Sequence, residues 1–106
     1  VSSRYDRLRR ALAGIGYACK GSMVGRHMPC GRSGCRCNDG LHHWHGPYFD
    51  WSWKVDGKTR SVRLTFEQAK LMRSYVRNDR KLRRIVAEMR TLSLKVVQAQ
   101  LKAAAE

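Results

Sequence analysis

The dipeptide Asp56-Gly57 constrains the fold more than any other feature of this chain. A two-residue β-turn that follows the right-handed twist of its strands needs positive φ at both central residues, and Asp-Gly adopts that conformation readily. Counting outward fixes a register: Val55 opposite Lys58, Lys54 opposite Thr59, Trp53 opposite Arg60, Ser52 opposite Ser61, Trp51 opposite Val62, Asp50 opposite Arg63 and Phe49 opposite Leu64. The aromatic residues then share one face. The other face pairs a carboxylate with a guanidinium and a hydroxyl with a hydroxyl, so the register is chemically self-consistent. Phe49, Trp51 and Trp53 read as core rings beneath a covering layer, as in an antiparallel sheet with one buried face.

The covering layer follows directly. Thr65 with Gln68 three residues on is a capping box, and Phe66, Ala69, Met72 and Val76 form a helical stripe expected to pack on the Trp51/Trp53 face. Beyond Asn78-Asp79 the stripe changes phase and continues as Leu82, Ile85, Met89, Leu92, Val96, Ala99 and Ala103, a heptad seam. Two arrangements satisfy it: a break at Asn78 with Asp79 capping a second helix, or one long helix. The seam's partner is either a second copy of the chain in a coiled-coil homodimer, or an N-terminal helix. Ser2 or Ser3 caps that helix, Tyr5, Leu8, Leu12 and Ile15 line it, and Gly14 or Gly16 ends it. A weaker strand spans Gly21 to Met28, interrupted by Gly25. The expected class is α+β: an N-terminal helix, a small antiparallel sheet with a Cys/His loop, and one long or two consecutive C-terminal helices. Residues 1–78 form the helix and metal-stapled sheet with its packing helix, and residues 79–106 the helix that carries the seam.

Between strand and hairpin lies Cys30-Gly31-Arg32-Ser33-Gly34-Cys35-Arg36-Cys37, with His42, His43 and His45 close behind. Three thiols and an imidazole in one short loop suit a single tetrahedral zinc ion. Gly31 and Gly34 allow the tight reversals that bring sulfurs back toward one point. The ligands read as Cys30, Cys35, Cys37 and one histidine, with His45 preferred because Gly46-Pro47 turns the chain just after it. Reduced, metal-free thiols are the competing reading. Disulfides are less suited, because Cys35 and Cys37 are too near in sequence to bridge comfortably and Val1-Ser2-Ser3-Arg4 does not read as a secretory leader. Cys19 stands apart. A reducing, cytoplasmic setting is the expectation.

Charge then narrows the partner. Lys and Arg total 22 against 8 acidic residues, a formal net charge of +14 and a pI near 10.6. A polyanion is needed to offset that excess, and DNA is preferred to an anionic membrane because no apolar run approaches a span and the C-terminal helix lacks interfacial aromatics. Arg73, Arg77, Arg80 and Arg84 recur every three or four residues on one helix face, with Lys81 and Arg83 beside them, and can contact phosphates. Arg32 and Arg36 in the cysteine loop are auxiliary contacts, and Trp44 is the ring best placed to stack on a base. No carboxylate pair or oriented triad accompanies the histidines and cysteines, and Asp39-Gly40 reads as a turn, so no enzymatic role is expected.

The segments KGSMVGR, CGRSGCRC and HGPYFDWSWKVDGKTRSVRL, followed by a basic helix, resemble a family of small basic bacterial proteins of unknown function. The shared pattern is a Gly-Ser strand, a Cys-Gly loop closed by Cys-x-Cys, His-Gly-Pro-Tyr, a Gly-Lys-Thr hairpin and a C-terminal helix, covering roughly Lys20 to Arg84 here. The motif positions are Cys30, Cys35, Cys37, His45, Gly46, Pro47, Tyr48, Gly57, Lys58 and Thr59. Similarity to proteins carried beside transposases and recombinases implies an accessory DNA-binding role on a mobile element, with a transposase or recombinase as partner. An RNA-binding zinc protein that uses Trp44 and the sheet, and a coiled-coil adaptor that binds no nucleic acid, are the alternatives.

Overall fold

The computed structural model describes residues 2–105. Helix α1 (Ser2–Ala13) precedes strand β1 (Ser22–Met28), then come two 3-10 turns (Arg36–Asp39 and Leu41–His43), strands β2 (His45–Val55) and β3 (Lys58–Leu64), and helix α2 (Phe66–Ala105). The class is α+β, as expected. The cap read at Ser2 lies outside the described side chains, and Ser3 is already inside α1. Two compact units divide the chain, Lys20–Val76 and Val1–Cys19 with Arg77–Glu106.

In the first unit, three antiparallel strands lie in the order β1-β2-β3. The β2/β3 register is the one the turn dictates at all seven positions, and Asp56 and Gly57 take φ of 52° and 77°. On the polar face Asp50 is nearly buried. Its two oxygens stand 3.4 Å from Arg26 Nε and 3.2 Å from Arg63 Nε, while the Ser52 hydroxyl bonds that of Ser61 at 3.1 Å. On the other face the Trp51 and Trp53 rings stack with centroids 4.0 Å apart, and Trp51 Nε1 donates to the Lys20 carbonyl at 3.0 Å. Both rings are half-buried. Strand β1 pairs antiparallel with β2 from Ser22↔Ser52 to Met28↔His45, with an irregularity between Arg26 and Met28.

The capping box forms in both directions: the Gln68 N–H donates to Thr65 Oγ1 at 3.2 Å and the Thr65 N–H to Gln68 Oε1 at 2.9 Å. Ala69 and Val76 are buried on the first turns of α2, but Phe66 is 61% exposed and corrects the expected stripe. Standing at the very start of the helix, it meets the sheet only edgewise, with its ring 6.3 Å from that of Phe49.

In the second unit, α1 runs antiparallel to α2. Arg4 at the start of α1 binds Glu88 Oε1 through Nε at 2.9 Å and Nη2 at 2.6 Å, whereas Tyr17, beyond its end, accepts a bond from Asn78 Nδ2 at 2.8 Å. Leu8 and Ile85 are buried in this unit. Each such side chain contributes about 1.5–3 kcal/mol. Asn78 and Asp79 do not break the helix, because Asn78 satisfies the Tyr17 carbonyl and buried Asp79 lies 2.9 Å from Arg83 Nε one turn on. The first half of the seam is thus used within the chain. Farther along, Val96 is 40% and Leu101 65% exposed. Among the described residues no helix is long and apolar enough to cross a membrane.

Candidate metal centre

The loop from Pro29 to Trp44 has little apolar material to hold it. Its backbone is knotted by a few bonds: the Cys35 N–H to the Arg32 carbonyl at 3.4 Å, the Asn38 N–H to the Cys35 carbonyl at 3.1 Å, and Asn38 Nδ2 to the Arg32 carbonyl at 2.8 Å. Gly31 and Gly34 take φ of 77° and 81°, the left-handed values that the ligand spacing requires. The two strand ends complete the frame. Cys30 follows β1 by two residues, His45 opens β2, and Met28↔His45 is the last pair of that ladder. Cys35 stands at the N-cap position of the first 3-10 turn, and Cys37 inside it is the largest fully buried side chain among the described residues, at 1% exposure.

The ligand atoms of Cys30, Cys35, Cys37 and His45 all lie within 4.8 Å of one another, close enough to hold a metal ion. Cys30 and Cys37 sulfurs are 3.6 Å apart, and Cys35 Sγ is 3.2 Å from His45 Nε2. Two sulfurs each about 2.3 Å from a tetrahedral zinc are separated by about 3.8 Å, and a sulfur and an imidazole nitrogen by slightly less. These two separations come within about 0.4 Å of such edges, and the 3.6 Å between sulfurs far exceeds a disulfide bond; all four cysteines are free. The Cys30 N–H also points at Cys37 Sγ at 3.4 Å, a donor suited to a metal-bound thiolate. His42 and His43 stand exposed on the second 3-10 turn, outside the cluster.

The thiols differ in acidity. Cys35 is held down to about 6, first by the Cys37 backbone N–H, then by the His45 ring and the neighbouring thiols. At Cys37 the Cys30 N–H pulls the same way, but burial, the Cys35 and Cys30 thiols and the Cys30 charge outweigh it and raise the pKa. Gathering three thiolates needs a compensating cation at their centre. A divalent ion would leave one net negative charge beside the exposed guanidinium-bearing residues Arg32 and Arg36.

The other residues singled out from the sequence separate by setting. Arg77, Arg80, Lys81 and Arg84 are exposed on α2 in the helical unit, with no ion pair among the described residues. Arg73, in the sheet unit, instead lays its guanidinium 5.0 Å over the Phe49 ring, and Arg83 is engaged by Asp79. Trp44 is half-buried where the second 3-10 turn enters β2, less open than a loop ring suggests. Sequence reasoning found Asp50 opposite Arg63 but missed Arg26, because only the β1 register reveals it and no turn residue fixes that register.

Residues 1–74 match the family described as Domain of unknown function (DUF6788), and the chain belongs to that family. No curated protein and no solved structure matches it.

Proposed function

We propose that this member of a family without an assigned activity is a zinc-stapled DNA-binding accessory protein, serving as a regulator or subunit in recombination or transposition of a mobile element. The observation that carries the reading is the stripe Arg77, Arg80, Lys81 and Arg84, four exposed cations within two helical turns with no acidic partner among the described residues. The acidic side chains nearby are already engaged, Asp79 by Arg83 and Glu88 by Arg4. Such a stripe repels itself in isolation and is relieved by phosphates.

Zinc suits the loop because three thiolates and one imidazole close a tetrahedron and leave no open position. Its role is structural. Cys30, Cys35, Cys37 and His45 would hold the ion, the loop between β1 and β2 would be fixed by it, and Arg32 and Arg36 would stand as auxiliary phosphate contacts. The mobile-element setting is supported by the motif resemblance alone.

Fluorescence anisotropy of a labelled duplex across a salt series tests the DNA reading. Affinity is expected to fall steeply with salt, and Arg77→Glu with Arg80→Glu to weaken binding on unrelated sequences by at least about tenfold. Unchanged affinity in that double variant rejects the helix as the binding element.

A further inference from the structure

α1 and α2 present one cationic face two helices wide, and we infer that Arg7 of α1 joins Arg77, Lys81 and Arg84 of α2 in gripping the phosphate backbone of duplex DNA without reading its bases. The inference rests on the DNA reading above and adds a second element to it.

The Arg4–Glu88 pair marks which flanks of the two helices meet. Successive residues turn by about 100° around a helix. On α1, buried Leu8 lies four residues past Arg4, about 40° to the inner side, so Arg7 lies about 60° to the outer side on the same flank. On α2, Ile85 marks the inner side of Glu88, and Arg77, Lys81 and Arg84 all fall within about 40° of Glu88 around the axis. All four cations therefore rise on the flank that carries the Arg4–Glu88 pair. Because the helices run antiparallel, three residues onward from Arg4 is level with three residues back from Glu88, which brings Arg7 level with Ile85, one residue from Arg84.

Arg9 supplies the contrast. Five residues from Arg4, it lies about 140° around α1 on the opposite flank, and its Nη1 is 3.8 Å from Asp6. Arg7 has no ion-pair partner among the described residues.

The width of this face decides how it meets DNA. Two packed helices with side chains span about 20 Å, whereas the major groove is about 12 Å wide and admits one helix. A face of that width rides over the sugar-phosphate rim. Arg77 and Arg84 are about 10 Å apart along α2 and Arg7 lies about one interaxial distance to the side, so the four charges form a patch and not a line. Contacts of this kind position a protein on DNA and carry no sequence information.

Anisotropy with two unrelated duplexes across a salt series distinguishes the possibilities, with circular dichroism confirming helix content in each variant. Arg7→Gln is expected to weaken both duplexes equally, by about three- to tenfold, and to make the salt slope shallower by about 0.9, as Arg84→Gln does. Arg9→Gln is expected to match the unmodified chain. If Arg84→Gln weakens binding but Arg7→Gln behaves like Arg9→Gln, the stripe on α2 acts alone and the composite face is wrong. A preference of the unmodified chain for one duplex that Arg7→Gln abolishes contradicts backbone-only binding. If the unmodified chain binds neither duplex at low salt, the DNA reading itself fails and this inference with it.

Discussion

The hairpin Phe49–Leu64 and the cysteine loop between Cys30 and His45 both reverse the chain beside the same central strand, and they are held in opposite ways. The hairpin is redundantly specified: a two-residue turn, seven backbone pairs, a hydroxyl pair, an Asp50–Arg63 ion pair and stacked tryptophans all choose one register. The loop has two short 3-10 turns, a handful of backbone bonds and one buried side chain, Cys37, which is itself a candidate ligand. A segment so poor in apolar contacts opens at little cost unless something other than packing closes it. Side-chain pairing specifies the hairpin, whereas the loop brings together four side chains close enough to hold a metal ion.

Substitution in each region should therefore break different things. Cys37→Ser is expected to give the largest effect, with loss of metal binding and a melting temperature lowered by more than about 12 °C, read by calorimetry with metal analysis. A variant that retains metal and stability would place Cys37 in the core and remove it from the ligand set.

Acidification from pH 8 to 6 is expected to act on the loop. With the metal removed, the Cys35 thiolate is favoured in the folded loop, its pKa lowered from 9.0 to about 6. That contribution is complete above the unfolded value, shrinks as pH falls and is gone below about 6. Metal binding has the same sign, since protons compete for thiolates, so affinity should drop as pH falls from 8 to 6. Titration with a zinc-competing dye at several pH values measures it; an affinity that does not change with pH contradicts thiolate ligation.

The smallest effect belongs to the hairpin. Gly57→Ala places a Cβ at φ 77° and is expected to cost about 1 kcal/mol, roughly 5 °C in melting temperature, with zinc affinity unchanged. If zinc affinity falls together with stability, the two regions are coupled and the contrast between them is weaker than drawn.

The same contrast explains what was legible in the sequence. Asp56-Gly57 and the capping box Thr65/Gln68 act over a few residues, so their geometry could be written down in advance and is found. The cluster of Cys30, Cys35, Cys37 and His45 was equally readable, because ligand chemistry restricts residue types and Gly46-Pro47 singles out the last histidine. Properties set by distant partners were not. The continuity of α2 through Asn78 depends on the Tyr17 carbonyl, and the exposure of Phe66 depends on how little of the sheet reaches the first turn of α2. The pairing of Arg26 with Asp50 depends on a strand register that no turn announces. Trp44, expected as an open ring, is half-buried where the loop rejoins the sheet.

Native mass spectrometry of the full chain, before and after a strong chelator, tests the central claim most directly. The account predicts one zinc per chain, released by the chelator, and at least three newly reactive thiols. A metal-free chain with the same thiol reactivity before and after chelation would contradict it.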